Sequence, residues 1–196
     1  MSISLVAGLG NPGREYEHTR HNAGWIVVEA LASKHGLAWE RAPAFESLVA
    51  RWNPEPGRTV WLAKPLTFMN ESGRAVGALA RYHQLAPAAV AAVYDDLTIE
   101  LGLVKVSVTG SSGGHNGVAS LLEHLGDGFS RFRLGIGPKQ PPEMDLKDFV
   151  LARFTPAQLT LFQQQLTTTV PGLELLIHRG ADRAMNQLNR RDPPPP

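Results

Sequence analysis

Short apolar runs and amphipathic stretches take turns along the chain, separated by glycine- and proline-rich punctuation. Residues 3–7 form a continuous apolar run that predicts a first, interior strand. After a polar loop, Asn22 is placed to cap a helix that runs to about Lys34. Ile26, Val27, Ala30 and Leu31 are spaced for its buried side, and Gly36 is the stop signal. Residues 45–52 and 59–64 predict a strand pair about the turn-rich stretch 53–57. Residues 73–83 place Val76, Leu79, Ala80 and His83 on one helical face. Residues 88–94 are a continuous small-apolar run, the pattern of a central parallel strand, and end on Asp95-Asp96.

Beyond that point residues 103–108 and 131–136 alternate as strands do. Between them lie a glycine-rich loop over residues 110–117 and a helix from about Val118 to about Leu125. Residues 138–148 predict an irregular flap. Thr155-Pro156 is a cap followed by a first-turn proline, opening a C-terminal helical region that Pro171 is expected to break in two. Strands interleaved with helices define an α/β fold. The short link between the second and third strands makes their pairing antiparallel. The expected architecture is one domain over residues 1–190: a mixed, twisted sheet with a parallel core, covered by helices on both faces in three layers. Residues 191–196 are expected to form a disordered proline-rich tail.

Composition narrows the classes without choosing among them. The chain has 196 residues, 43% hydrophobic and 19% charged, as an ordinary globular domain does. It has no cysteine, which excludes disulfides, thiolate metal sites and cysteine nucleophiles. No apolar run approaches the ~18 residues of a membrane span, and no leader pattern opens the chain, so a cytoplasmic protein is expected. The formal net charge is only +1, so any polyanion would have to be met by a local basic surface.

Several motifs compete for the chemistry. Gly8-x-Gly10-x-x-Gly13 matches the dinucleotide fingerprint, but Pro12 and the polar stretch through Arg20 delay the helix that should meet a pyrophosphate. Gly110-x-Ser112-x-Gly114 matches a nucleophile elbow. Downstream, His115 is too close in sequence to serve it, and His124 and His178 fall in helical segments. A loop shaped for close backbone approach is the simpler reading. His18 and His21 lack a third metal ligand, and no metal or cofactor is expected. His21 and Asp95 stand at the ends of strands expected to open on one edge of the sheet. There the carboxylate either fixes the imidazole tautomer for general-base work or simply caps backbone. Asn11 adds an amide to the same loop as His21. Asn70 and Ser72 are helix caps or, with Phe68, a cleft wall, and Asn116 stands at another helix start.

Taken together, these segments carry a resemblance. Gly8-Leu9-Gly10-Asn11-Pro12-Gly13, Tyr16, Thr19-Arg20-His21-Asn22-Ala23-Gly24, Thr67-Phe68-Met69-Asn70-x-Ser72-Gly73, Asp95-Asp96-Leu97 and Gly113-Gly114-His115-Asn116-Gly117 resemble bacterial-type peptidyl-tRNA hydrolase. Arg133-Leu134-Gly135-Ile136-Gly137 and Asp148-Phe149-Val150-Leu151 extend the likeness, which reaches about Asn189. The resemblance implies hydrolysis of the ester between a peptide and the 3′ ribose of tRNA, by a monomer. It implies His21 as general base, Asp95 as its support, and Asn11 as the residue that separates peptidyl-tRNA from free aminoacyl-tRNA. Tyr16, Phe68, Asn70 and Asn116 would contact the peptidyl-tRNA end. The chemistry agrees, since a blocked amino group offers a neutral amide where a free one offers an ammonium.

Lys105, Arg131, Arg133, Lys139 and Lys147 are candidates for the tRNA body, each also readable as a solvated surface charge. The chain departs from the family near Ser107, where a second basic residue is common, and near Thr98, where a second acid is common. The stretch 138–146 has its own proline-rich wording. The rival reading is a noncatalytic RNA-binding relative on the same scaffold.

Overall fold

A computed structural model describes residues 2–190 of the chain. The proline-rich tail expected at 191–196 lies outside the described residues. Seven strands form one mixed sheet in the order β2-β3-β4-β1-β5-β7-β6. They are β1 (Leu5–Gly8), β2 (Glu40–Ala42), β3 (Ser47–Glu55), β4 (Arg58–Pro65), β5 (Val90–Glu100), β6 (Val104–Ser107) and β7 (Ser130–Gly137). β1 pairs parallel with both β4 and β5, and β5 pairs parallel with β7. β2–β3, β3–β4 and β6–β7 are antiparallel, so the parallel core carries antiparallel edges, as expected. Six helices complete the fold: α1 (Ala23–Lys34), α2 (Ser72–Tyr82), α3 (Asn116–Leu125), α4 (Leu146–Leu151), α5 (Pro156–Arg179) and α6 (Ala181–Leu188).

The strand period of two divides the core. Val6, Ala91 and Val93 turn to one face and pack with Val27 and Leu31 of α1, Leu173 and Ile177 of α5, and Ala184 of α6. Leu5, Ala7 and Ala92 turn to the other and meet Val76 and Leu79 of α2 and Val118 and Leu121 of α3. The three-layer arrangement follows. α1 lies close on the sheet because Gly24 has no side chain: a Cβ there would stand 2.2 Å from the Val93 carbonyl oxygen. The free edge of β6 is covered by Asn189, whose amide accepts from Val106 N at 2.8 Å and donates to Val106 O at 2.8 Å.

Four expectations need correction. Asn22 precedes α1 but makes no side-chain cap; its amide is spent on the loop after β1. β5 does not end at Asp95-Asp96. It continues to Glu100 after a register shift, running so close to β7 that a Cβ at Gly135 would lie 1.9 Å from Glu100 O. The flap is irregular only in its first part, because Asp145 accepts from Lys147 N at 2.8 Å and starts α4 inside it. Pro171 does not break α5. It occupies the exposed side of the helix, where the carbonyl its ring leaves unpaired can meet water, and buried Val170, Gly172 and Leu173 hold both sides. The break falls instead at Gly180, whose φ of 79° separates α5 from α6. The Thr155 cap is present as a full capping box with Gln158.

Candidate active site

The cleft opens over the carboxyl ends of β1 and β5, where parallel α/β sheets place their ligands. It holds about 560 Å³. His21 lies in a single 3-10 turn, Arg20–Asn22, that leads into α1. The turn is held from below by Arg20, whose guanidinium donates to the carbonyls of Phe149, Ala152 and Arg153 and to Gln158 Oε1. His21 is buried apart from one edge, and its Nδ1 lies 2.9 Å and 3.1 Å from the two oxygens of Asp95. Asp95 is 3% exposed at the end of the regular β5 pairing. Burial alone would raise its carboxyl, but the charges and hydrogen bonds of His21 and His115 outweigh burial and hold it well below the ordinary carboxylate range. An ionised Asp95 accepts Nδ1–H from His21, which leaves His21 Nε2 with its lone pair for the cleft.

Asn11 is organised from both sides. Its backbone N–H donates to Asn22 Oδ1 at 2.9 Å, and its carbonyl accepts from Asn22 Nδ2 at 2.9 Å. Met69 N–H donates to its side-chain Oδ1 at 2.8 Å. That last bond fixes the amide's orientation, because only the oxygen can accept. Asn11 therefore presents Nδ2–H₂ on the cleft wall. Phe68 is 54% exposed and lines the cleft opposite Leu146 and Val150 of α4. Asn70 and Asn116 are exposed on its rim, and neither Asn70 nor Ser72 caps α2.

Tyr16 is the exception among the expected cleft residues. It does not line the cavity, and its backbone joins two successive turns, its N–H donating to Gly13 O and its carbonyl accepting from Thr19 N. The basic candidates divide. Arg131 is 2% exposed and committed to Ser111 O at 2.9 Å and Asp127 Oδ1 at 3.2 Å, where it braces the glycine loop. Arg133 lines the cleft paired to Asp96 at 2.8 Å. Lys139 Nζ donates to Met144 O within the flap. Lys147 is exposed on the cleft wall, and Lys105 stands half-buried on β6 opposite Arg133.

Sequence reasoning weighed His115 only as a serine's base and missed its place beside Asp95, 3.1 Å from Oδ1. The signal was available in Gly113-Gly114-His115-Asn116-Gly117, at the mouth of the loop facing β5. The loop's glycines serve backbone shape, with φ of 125°, 58° and 83° at Gly110, Gly113 and Gly114. Both ring nitrogens of His115 are engaged away from Ser112, so His115 does not serve that serine as a base. Gly8 and Gly10 likewise serve packing: a Cβ would meet Gly24 O at 2.6 Å or the Trp25 ring at 2.8 Å.

Fold and site together define a three-layer α/β protein with a buried histidine–carboxylate pair facing a cleft. The family profile described as peptidyl-tRNA hydrolase matches residues 5–195. A peptidyl-tRNA hydrolase of Symbiobacterium thermophilum is 43% identical over 188 residues, 94% of this chain and 98% of that protein. One from Gloeobacter violaceus is 39% identical over 200 residues and covers 100% of both. The crystal structure of the Acinetobacter baumannii peptidyl-tRNA hydrolase superposes with a TM-score of 0.88 at 36% identity, across 97% of this chain and 96% of that one. The chain belongs to the peptidyl-tRNA hydrolase family.

Proposed function

We propose that the protein hydrolyses peptidyl-tRNA, cleaving the ester between the peptide's carboxyl carbon and the 3′ ribose oxygen. The observation that carries this reading is the His21–Asp95 pair standing on one cleft wall with the donor end of Asn11. His21 Nε2 takes a proton from water as its oxygen attacks the ester carbonyl. Asp95 accepts Nδ1–H throughout and stabilises the imidazolium that forms. The tetrahedral intermediate collapses, the 3′ oxygen leaves, and His21 returns the proton to it. Asn11 Nδ2–H₂ donates to a carbonyl oxygen of the peptide, with Asn70 and Asn116 as further neutral partners at the rim. Phe68 and Leu146 form apolar walls for side chains. A free aminoacyl ester presents an ammonium near Asn11 in place of an acceptor, and a fitted polar site rejects it by orders of magnitude.

We read the protein as acting as a monomer, and peptidyl-tRNA as its substrate favours a cytoplasmic reaction. Among the described residues no helix is long and apolar enough to cross a membrane. Incubation with N-blocked and with free aminoacyl-tRNA tests the reading. Rapid release from the blocked form alone is expected, and tight binding without cleavage would instead make the chain an RNA-binding relative. His21→Ala should remove most activity and Ser112→Ala little; the reverse would transfer the chemistry to the serine.

A further inference from the structure

We infer that His115 is a positioning residue for the His21–Asp95 pair, held by the first amides of α3 in its Nε2–H tautomer and donating that proton to Asp95. The inference rests on the reading of His21 as the base. His115 is the N-cap of α3, and it caps through a ring nitrogen: Nδ1 accepts from Gly117 N at 3.1 Å and Val118 N at 3.3 Å. Two N–H groups aimed at Nδ1 require a lone pair there, so the proton of the neutral ring lies on Nε2. Nε2 stands 3.1 Å from Asp95 Oδ1, an acceptor. A helix N-terminus, normally capped by an oxygen, thus sets the tautomer of a side chain in the cleft.

Two consequences follow for the base. Asp95 receives one N–H from each histidine, so its carboxylate cannot rotate without breaking both bonds, and the His21 ring is aligned through it. The second donor also withdraws part of the carboxylate's charge from His21, which limits how strongly Asp95 favours the imidazolium. The same cap explains why proton sharing suits this trio better than a cation. The three side chains offer ligand atoms within 4.8 Å of one another. A metal at His115 Nε2 would push the ring proton onto Nδ1, against the two α3 amides.

The titratable and charged groups facing His115 are few. The His21 ring centroid is 4.8 Å away and the Tyr94 ring 4.9 Å, with Asp95 between the histidines. Burial, ahead of the nearby charges, pushes the Tyr94 hydroxyl up to about 12, so it carries no charge in the working range. Asp96 is paired with Arg133, and Asp145 and Lys147 line the far side of the cleft.

His115→Asn separates the two roles of this ring. Asparagine is a preferred N-cap and keeps α3 closed, but it is too short to reach Asp95. Long-range ¹H–¹⁵N NMR of the wild type at about pH 8 should show His115 protonated on Nε2. His115→Asn should keep the wild-type thermal midpoint to within a few degrees and leave KM unchanged. The rising limb of its pH–rate profile should move to higher pH, and a displacement of about one unit is a tenfold lower rate at fixed pH on that limb. His115→Ala should show the same displacement together with a lowered thermal midpoint. A proton on Nδ1 of His115, or a wild-type pH profile in His115→Asn, overturns the inference. The NMR result does not depend on activity, so a failure of the His21 reading, seen as an active His21→Ala enzyme, is distinguishable from it.

Discussion

Asn11 has one end of its amide committed and the other free, and this asymmetry makes it a donor. Met69 N–H occupies Oδ1. Asn11→Asp keeps that acceptor and replaces only Nδ2–H₂ with a charged oxygen. The expected result is a folded enzyme whose kcat/KM on blocked aminoacyl-tRNA falls by about 10²–10³-fold, the cost of losing one fitted donor near the reacting carbonyl. Unchanged kcat/KM would remove Asn11 from substrate contact. Asp95 makes a separable contribution to stability. Its folded carboxyl titrates below the 3.8 of a free aspartate, because the two histidines outweigh the burial that alone would raise it. A depressed acid stabilises the native state fully above its unfolded value and progressively less as pH falls through that value toward the folded one. Urea midpoints of the wild type should therefore drop more steeply below about pH 5 than those of Asp95→Asn. Parallel curves would refute the coupling.

At the scale of elements, α4 is joined to the His21 turn by Arg20. The guanidinium of this buried residue donates to the carbonyls of Phe149 in α4 and of Ala152 and Arg153 just after it, and lies over the Phe149 ring at 4.5 Å. Arg20→Met fills comparable volume but leaves those carbonyls unpaired, an expected loss of about 2–4 kcal/mol. Hydrogen exchange across residues 146–152 should accelerate, and KM should rise because α4 carries the Leu146 and Val150 wall. Protection equal to wild type would disconnect α4 from the turn.

Such ties explain what the sequence conveys and what it conceals. Six of the seven strands, the Thr155 cap and the Gly36 stop are local or periodic signals, and the strand-end positions of Asn11 and Asp95 point to one cleft with His21. The three-residue edge strand β2 carries no such signal. The identity of α4 and the continuity of α5 through Pro171 depend on packing from distant elements. His115 was hidden for a similar reason. Its motif reads as a loop, and only the approach of β5 turns the ring into Asp95's second donor.

For the whole molecule, the open question of docking is one of free charge. A net charge of +1 gives little long-range attraction to a polyanion, so binding must come from basic groups not already spent, and of the five candidates named above only some qualify. Arg131 is buried in the glycine-loop brace, Arg133 is paired with Asp96, and Lys139 is held by the flap backbone. Lys105 and Lys147 remain with their ammonium groups uncommitted among the described residues. If both meet phosphates, the affinity for tRNA should fall linearly with salt on logarithmic axes. Each contact should contribute about 0.7–0.9 to the slope. Lys105→Ala and Lys147→Ala should each lower that slope by roughly one contact and weaken different tRNAs alike, since a phosphate carries no sequence. Arg131→Gln should instead lower the thermal midpoint and leave the slope in place. A slope unaffected by either lysine but reduced by Arg131→Gln would show that the glycine loop opens on binding and releases Arg131 to the RNA.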